Sequence, residues 1–167
     1  MNTHFQPNHV HITGTPVSGK TNTLIDLLLS LPTVDGKGLT RVVDVHFISA
    51  DLDKLALFRK IARRCLHPDD IPFENDLLYE AVSTFLISKK NINLTLETNA
   101  SPQNSVYDVF KAKLSKALGP SVIGFSYVFI DGMGNLGWYQ KTNDKEQVVE
   151  DLRDYLVSKG YSTRTAL

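Results

Sequence analysis

Apolar positions along the chain recur with two alternating periods, one suited to strands and one to helices. Residues 9–13 (HVHIT) alternate polar and apolar and predict a strand. After the segment GTPVSG, Leu24, Leu28 and Leu31 fall at helical spacing, and Pro32 stops that run. Residues 33–40 (TVDGKGLT) read as a loop, and Val42 to Ser49 (VVDVHFIS) as a β-rich, mostly buried strand. A helix follows from Leu52 to Cys65. Leu55, Phe58 and Ala62 share one of its faces, with Arg59, Lys60, Arg63 and Arg64 largely outside it.

The second half repeats the alternation. Pro68 and Pro72 bracket a turn, and Leu78, Val82 and Leu86 mark an amphipathic helix. Ile92 to Glu97 (INLTLE) alternates as a short strand. Val106, Phe110 and Leu114 predict a helix closed by Gly119-Pro120. Phe125 to Asp131 (FSYVFID) is a hydrophobic strand ending in an acid, followed by the glycine-rich GMGNLGW. Val148, Leu152 and Leu156 sit on a final helix, and Tyr161 to Leu167 is a last strand. No internal repeat, low-complexity tract or linker interrupts the pattern. Strands alternating with helices predict an α/β domain over residues 1–167, with a mainly parallel sheet covered by helices on both faces.

Composition narrows the picture. The chain has 167 residues, of which 42% are hydrophobic, enough for a core without disulfide or metal staples. Lysine plus arginine number 18 and aspartate plus glutamate 18, so the formal net charge is zero. That balance argues against a small nucleic-acid-coating protein, which carries a basic excess, and against an acidic disordered tail. The single cysteine, Cys65, excludes an internal disulfide and a Cys-based zinc site. The apolar runs are too short to span a bilayer, and MNTHFQPN lacks the basic-then-apolar layout of a signal peptide. The expectation is a soluble, cytoplasmic protein with no membrane partner.

One segment carries recognisable chemistry. Gly14-Thr15-Pro16-Val17-Ser18-Gly19-Lys20-Thr21 fits G-x-x-x-x-G-K-[ST] without a mismatch, between a predicted strand and a predicted helix. Gly14 and Gly19 permit the backbone angles that turn successive N–H groups inward as an anion nest. The helix that starts there aims its positive dipole end at the same anion. Lys20 reaches the β- and γ-phosphates as a point charge, and Thr21 offers Mg²⁺ a hard oxygen ligand. The pattern therefore predicts a nucleotide triphosphate with Mg²⁺, ATP by default.

Such a loop works with a second acid at the end of a neighbouring strand. Asp131, closing YVFID, is the candidate for this Walker B role, although an aspartate before Gly132 also serves to open a turn. Position 132 is glycine rather than a second acid, so the residue that orients the attacking water must come from elsewhere. Asp51, just beyond VHFIS, is the first choice, with Asp53 and Glu97 behind it. Each of these also suits a helix cap or a solvated acid.

The stripe Arg59, Lys60, Arg63 and Arg64 is ordinarily a solvated helix face, and alternatively touches DNA backbone or a neighbouring subunit's nucleotide. Arg153 and Arg164 are further candidates for an arginine acting in trans. His9 and His11 share a strand face without a third ligand and read as structural. Trp138 and Tyr139 read as anchors of the glycine-rich loop, with a base-stacking role as the alternative.

The order of these motifs resembles P-loop NTPases of the additional-strand type, in which another strand separates the phosphate-loop strand from the Walker B strand. The stretch TGTPVSGKTNTLIDLLLSL is similar to the FtsK/HerA group, which includes viral genome-packaging ATPases. A RecA-like core offers a competing likeness through FIDGMGNL, and it places Asp51 where a catalytic glutamate would stand. The resemblance implies a three-layer α/β/α P-loop core and an ATPase that moves or packages double-stranded DNA. It implies ATP and Mg²⁺ roles for Lys20, Thr21 and Asp131, and it adds Asn22 of the SGKTN run to the nucleotide-binding residues. A homo-oligomer with an arginine supplied in trans, located in the host cytoplasm if viral, is also implied. Two other classes stay open at this point. One is a small nucleotide kinase, suggested by length and by Asp131-Gly132, though Met133-Gly134-Asn135 stands where adenylate kinases have an arginine. The other is a non-hydrolysing ATP-binding assembly protein. A GTPase is disfavoured because no guanine-reading N/T-K-x-D motif follows.

Overall fold

Parallel strands buried on both faces favour apolar side chains at consecutive positions. YVFI of SYVFID meets that preference, as does the second half of VDVHFIS, where Phe47 and Ile48 are buried while Asp44 is exposed. In the computed structural model, which describes residues 8–14, 19–32, 42–50, 52–98, 126–132, 134 and 143–167, these segments are central strands. The strands are β1 (His9–Ile12), β2 (Val43–Ser49), β3 (Ile92–Thr98), β4 (Ser126–Asp131) and β5 (Ser162–Ala166). The helices are α1 (Lys20–Leu29), α2 (Lys54–Cys65), α3 (Asn75–Lys90) and α4 (Lys145–Ser158), with a 3₁₀ turn at Pro68–Asp70. Among the described residues the strands form one sheet in the order β1-β5-β4-β2-β3, and every pairing is parallel. The chain is thus an α/β protein with a parallel sheet, as the alternation of periods predicts. The helix expected around Val106, Phe110 and Leu114 and the loop at 33–40 lie outside the described residues.

The alternation within each strand sorts two cores. Val43, Val45 and Phe47 of β2, with Tyr127 and Phe129 of β4, are buried against α1, α2 and α3. The Phe47 and Phe129 rings stack at 5.5 Å between centroids. Ile48, Val128 and Ile130 point the opposite way and pack with Leu152 and Leu156 of α4 and with Tyr161. Leu24 and Leu28 are buried on α1, and Leu78, Val82 and Leu86 on α3, as their spacing predicts. On α2, Phe58 and Ala62 are buried with Leu57 and Ile61, while Leu55 is half-buried against them. Arg59, Arg63 and Arg64 are exposed outside that face, and Arg64 pairs with Asp26 at 3.3 Å. No helix among the described residues is long and apolar enough to cross a membrane.

The last strand differs from β2 and β4 in composition. β5 (STRTA) is polar, yet all five of its residues are buried because it lies inside the sheet, between β1 and β4. Its backbone is satisfied by two parallel neighbours. Its hydroxyls find partners across the sheet, with Thr163 Oγ1 2.8 Å from His9 Nδ1 and Thr165 Oγ1 2.6 Å from His11 Nδ1. Hydrogen bonding substitutes for the apolar packing that a central strand normally uses.

Candidate functional site

Strand register decides which residues meet beyond the sheet. Ser49 pairs with both Asp131 and Thr98, Ile12 pairs with Ala166, and Ile130 pairs with Thr165. The carboxyl ends of all five strands therefore finish along one edge, where parallel α/β sheets bind ligands. Gly14 follows β1 at this edge, and α1 departs from it.

Gly19 stands immediately before α1 with φ 79° and ψ 25°, in the left-handed region. A Cβ at this position would meet nothing within 4 Å, so backbone conformation rather than space is what calls for glycine. No side chain caps α1, which leaves its first N–H groups to the loop side. Lys20 turns back, and its Nζ donates to the Gly14 carbonyl at 2.7 Å, closing the two ends of the loop on each other. Asn22 is in the first turn of α1. Thr15, Pro16, Val17 and Ser18 lie outside the described residues.

At the same edge, Thr21 Oγ1 lies 3.0 Å from Asp131 Oδ1 and 3.1 Å from Oδ2, so its hydroxyl donates to the carboxylate. These residues are 110 positions apart, and the pairing of helix start with strand end is purely tertiary. Asp131 is 1% exposed. Its neighbour across the register, Ser49, is fully buried and donates from Oγ to Oδ2 at 3.3 Å. Ser49 Oγ also accepts from the Leu52 N–H at 3.0 Å, and the Ala50 N–H donates to the Asp131 carbonyl at 3.0 Å. The end of β2 is thereby fastened to the end of β4 by side chain and main chain together. A carboxylate beside a hydroxyl, both at a helix start, is a donor set suited to a hard divalent cation, which takes oxygen ligands.

Some sequence-derived candidates take other places. Asp53 caps α2, its carboxylate accepting from the Ala56 N–H at 2.7 Å, which is the helix-cap role. Arg164 cannot serve as an arginine in trans, because it is only 7% exposed. Its guanidinium stands 5.2 Å from the centre of the Tyr127 ring and donates to the carbonyls of Thr163 and Asn8. Arg153 is half-exposed on α4, 3.6 Å from Asp154. His9 and His11 hold Thr163 and Thr165, in line with a structural role. Burial lowers the pKa of both imidazoles below the ordinary 6.5, and at His9 the charges of Arg153 and Arg164 lower it further while Asp154 opposes them. Asp51, Trp138, Tyr139 and the side chain of Glu97 lie outside the described residues.

Ser49 is the participant that motif reading misses. The signal was its position, a small polar residue closing an otherwise apolar strand, but only the β2–β4 register shows that it faces Asp131. Compared with models of protein families, the chain has no match, and no curated protein matches it.

Proposed function

We propose that the chain binds Mg·ATP at the carboxyl edge of its sheet and hydrolyses it, as a subunit that translocates or packages double-stranded DNA. The observation that carries the nucleotide reading is the Thr21–Asp131 contact. The residue after the loop lysine and the acid closing an apolar strand are far apart in sequence and share one hydrogen bond in space. The placement of β5 between β1 and β4, with cores on both faces of the sheet, supports a three-layer P-loop arrangement of the additional-strand type. The DNA part rests on the likeness of TGTPVSGKTNTLIDLLLSL to packaging ATPases.

In this mechanism the N–H groups at the start of α1 and the Lys20 ammonium bind the phosphates. Thr21 and Asp131 would hold Mg²⁺, which when bound supplies positive charge to the phosphate oxygens. Asp51, one residue beyond the Ala50 that is tied to β4, orients the attacking water. Charge developing on the phosphoryl oxygens is met by groups already in place, so the protein contributes positioning and electrostatics. An arginine from a neighbouring copy completes the site, with Arg153 and the α2 stripe as the exposed sources.

Phosphate release with and without double-stranded DNA tests the proposal. Turnover should rise with DNA, and Lys20→Ala should lower it by about 100-fold or more. Turnover indifferent to DNA removes the motor reading but keeps the ATPase. Transfer of phosphate to a nucleoside monophosphate in place of water identifies a kinase instead.

A further inference from the structure

The Ser49 hydroxyl has one proton and two lone pairs, and the proton and one lone pair have identified partners. The proton is directed at Asp131 Oδ2, and a lone pair receives the Leu52 N–H from the turn leading into α2. Both Ser49 and Asp131 are shut off from bulk water, at 0% and 1% exposure. A residue needed here only to fill space would more cheaply be alanine, which buries no polar group.

Thr21 and Ser49 reach Asp131 from different elements. Thr21 approaches from α1 and touches both carboxylate oxygens, whereas Ser49 approaches from β2 and touches one. Thr21 has a second duty, because its oxygen is the one offered to a cation. Ser49 has no such duty, and its remaining contact ties it to backbone. It is therefore a donor that can hold the carboxylate still while Thr21 adjusts.

We infer that Ser49 is a positioning residue for the divalent cation, fixing the Asp131 carboxylate toward Thr21 and linking it to Leu52, ahead of α2. This inference rests on the Mg·ATP reading above. At 3.3 Å the Ser49–Asp131 contact is long for a bond to an ionised acceptor, so its loss should cost no more than the low end of that class and weaken cation binding by about tenfold.

The test compares the full chain with Ser49→Ala and Ser49→Thr. Binding of a fluorescent ATP analogue is followed in EDTA and across a Mg²⁺ titration, with Mn²⁺ binding by electron paramagnetic resonance as an activity-free readout. Ser49→Ala should keep its affinity in EDTA within about twofold, while its Mg²⁺ half-saturation and Mn²⁺ dissociation constant rise about tenfold. Ser49→Thr, which keeps the hydroxyl, should recover the wild-type half-saturation to within about threefold. An unchanged Mg²⁺ half-saturation in Ser49→Ala, an equal loss in EDTA and in Mg²⁺, or a folded Ser49→Thr as weak as Ser49→Ala overturns the inference. If Ser49→Ala does not fold, Ser49→Cys, near in volume but a weak donor, takes its place under the same criteria. Wild-type protein whose ATP binding ignores Mg²⁺ overturns this inference together with the nucleotide reading. A wild-type response shared in full by Ser49→Ala overturns this inference alone.

Discussion

Two polar clusters occupy this sheet, and they differ in what they are built around. At the carboxyl edge, Thr21 and Ser49 converge on the carboxylate of Asp131. On the α4 side, His9 and His11 pair with Thr163 and Thr165 as a ladder of side chains from adjacent strands. The ladder is uncharged when its imidazoles are neutral, and burial favours that state. Its hydrogen bonds join side chains of β1 to those of β5, a contribution to stability. The Asp131 cluster instead concentrates an acid at the end of a strand, where donors fix it and a cation would relieve it. Equal polarity thus serves different ends, and the centre of charge distinguishes them.

The sharpest way to break this comparison is Asp131→Asn. The amide keeps an oxygen that can accept from Thr21 and Ser49, so stability should change by no more than about 1 kcal/mol. Mg²⁺-dependent phosphate release should fall by about 100-fold or more. A variant that loses its fold rather than its turnover would put Asp131 with the ladder, as a structural residue.

The complementary change is Thr163→Val with Thr165→Val. It removes the partners of two imidazole nitrogens that solvent partly reaches and should lower the unfolding free energy by about 0.5–1.5 kcal/mol for each, read from denaturant midpoints. ATP affinity should stay within about twofold of wild type. A large loss of affinity with unchanged stability would bring the ladder into the site.

The smallest effect concerns pH. Because His9 and His11 titrate below the ordinary imidazole value of 6.5, the unfolded chain takes up protons before the folded one as pH falls. Stability should be flat above that value and decline as pH drops below it, until the folded imidazoles protonate as well. Melting temperatures at pH 7.5 and 5.5 should show the decline, and His9→Gln/His11→Gln should reduce it. An equal decline in that variant would assign the effect to other groups.

The parts of the fold legible in the sequence are those governed by local repetition. Leu78, Val82 and Leu86 announce one face of α3, and VVDVHFIS and SYVFID announce buried strands, because neighbours in sequence share the burial. The glycine at position 19 is legible for a related reason, since a left-handed backbone before a helix is a local demand. β5 was harder to characterise, because STRTA looks like a solvated strand until β1 and β4 are placed beside it. Arg164 shows the same limit. Its sequence neighbours are polar, yet its guanidinium is buried beside Tyr127, a residue of another strand.

The sequence by itself determined the alternation of strands and helices, the glycine demanded at position 19 by its left-handed backbone, and the lysine, threonine and acid of the proposed site. Tertiary structure alone decided that β5 lies between β1 and β4, that Asp131 meets Thr21, and that Ser49 closes on that carboxylate. The physical reason is one of range. Periodicity and backbone preference act over a few residues, while hydrogen bonds spanning 110 and 82 positions form only when strand register brings their ends together.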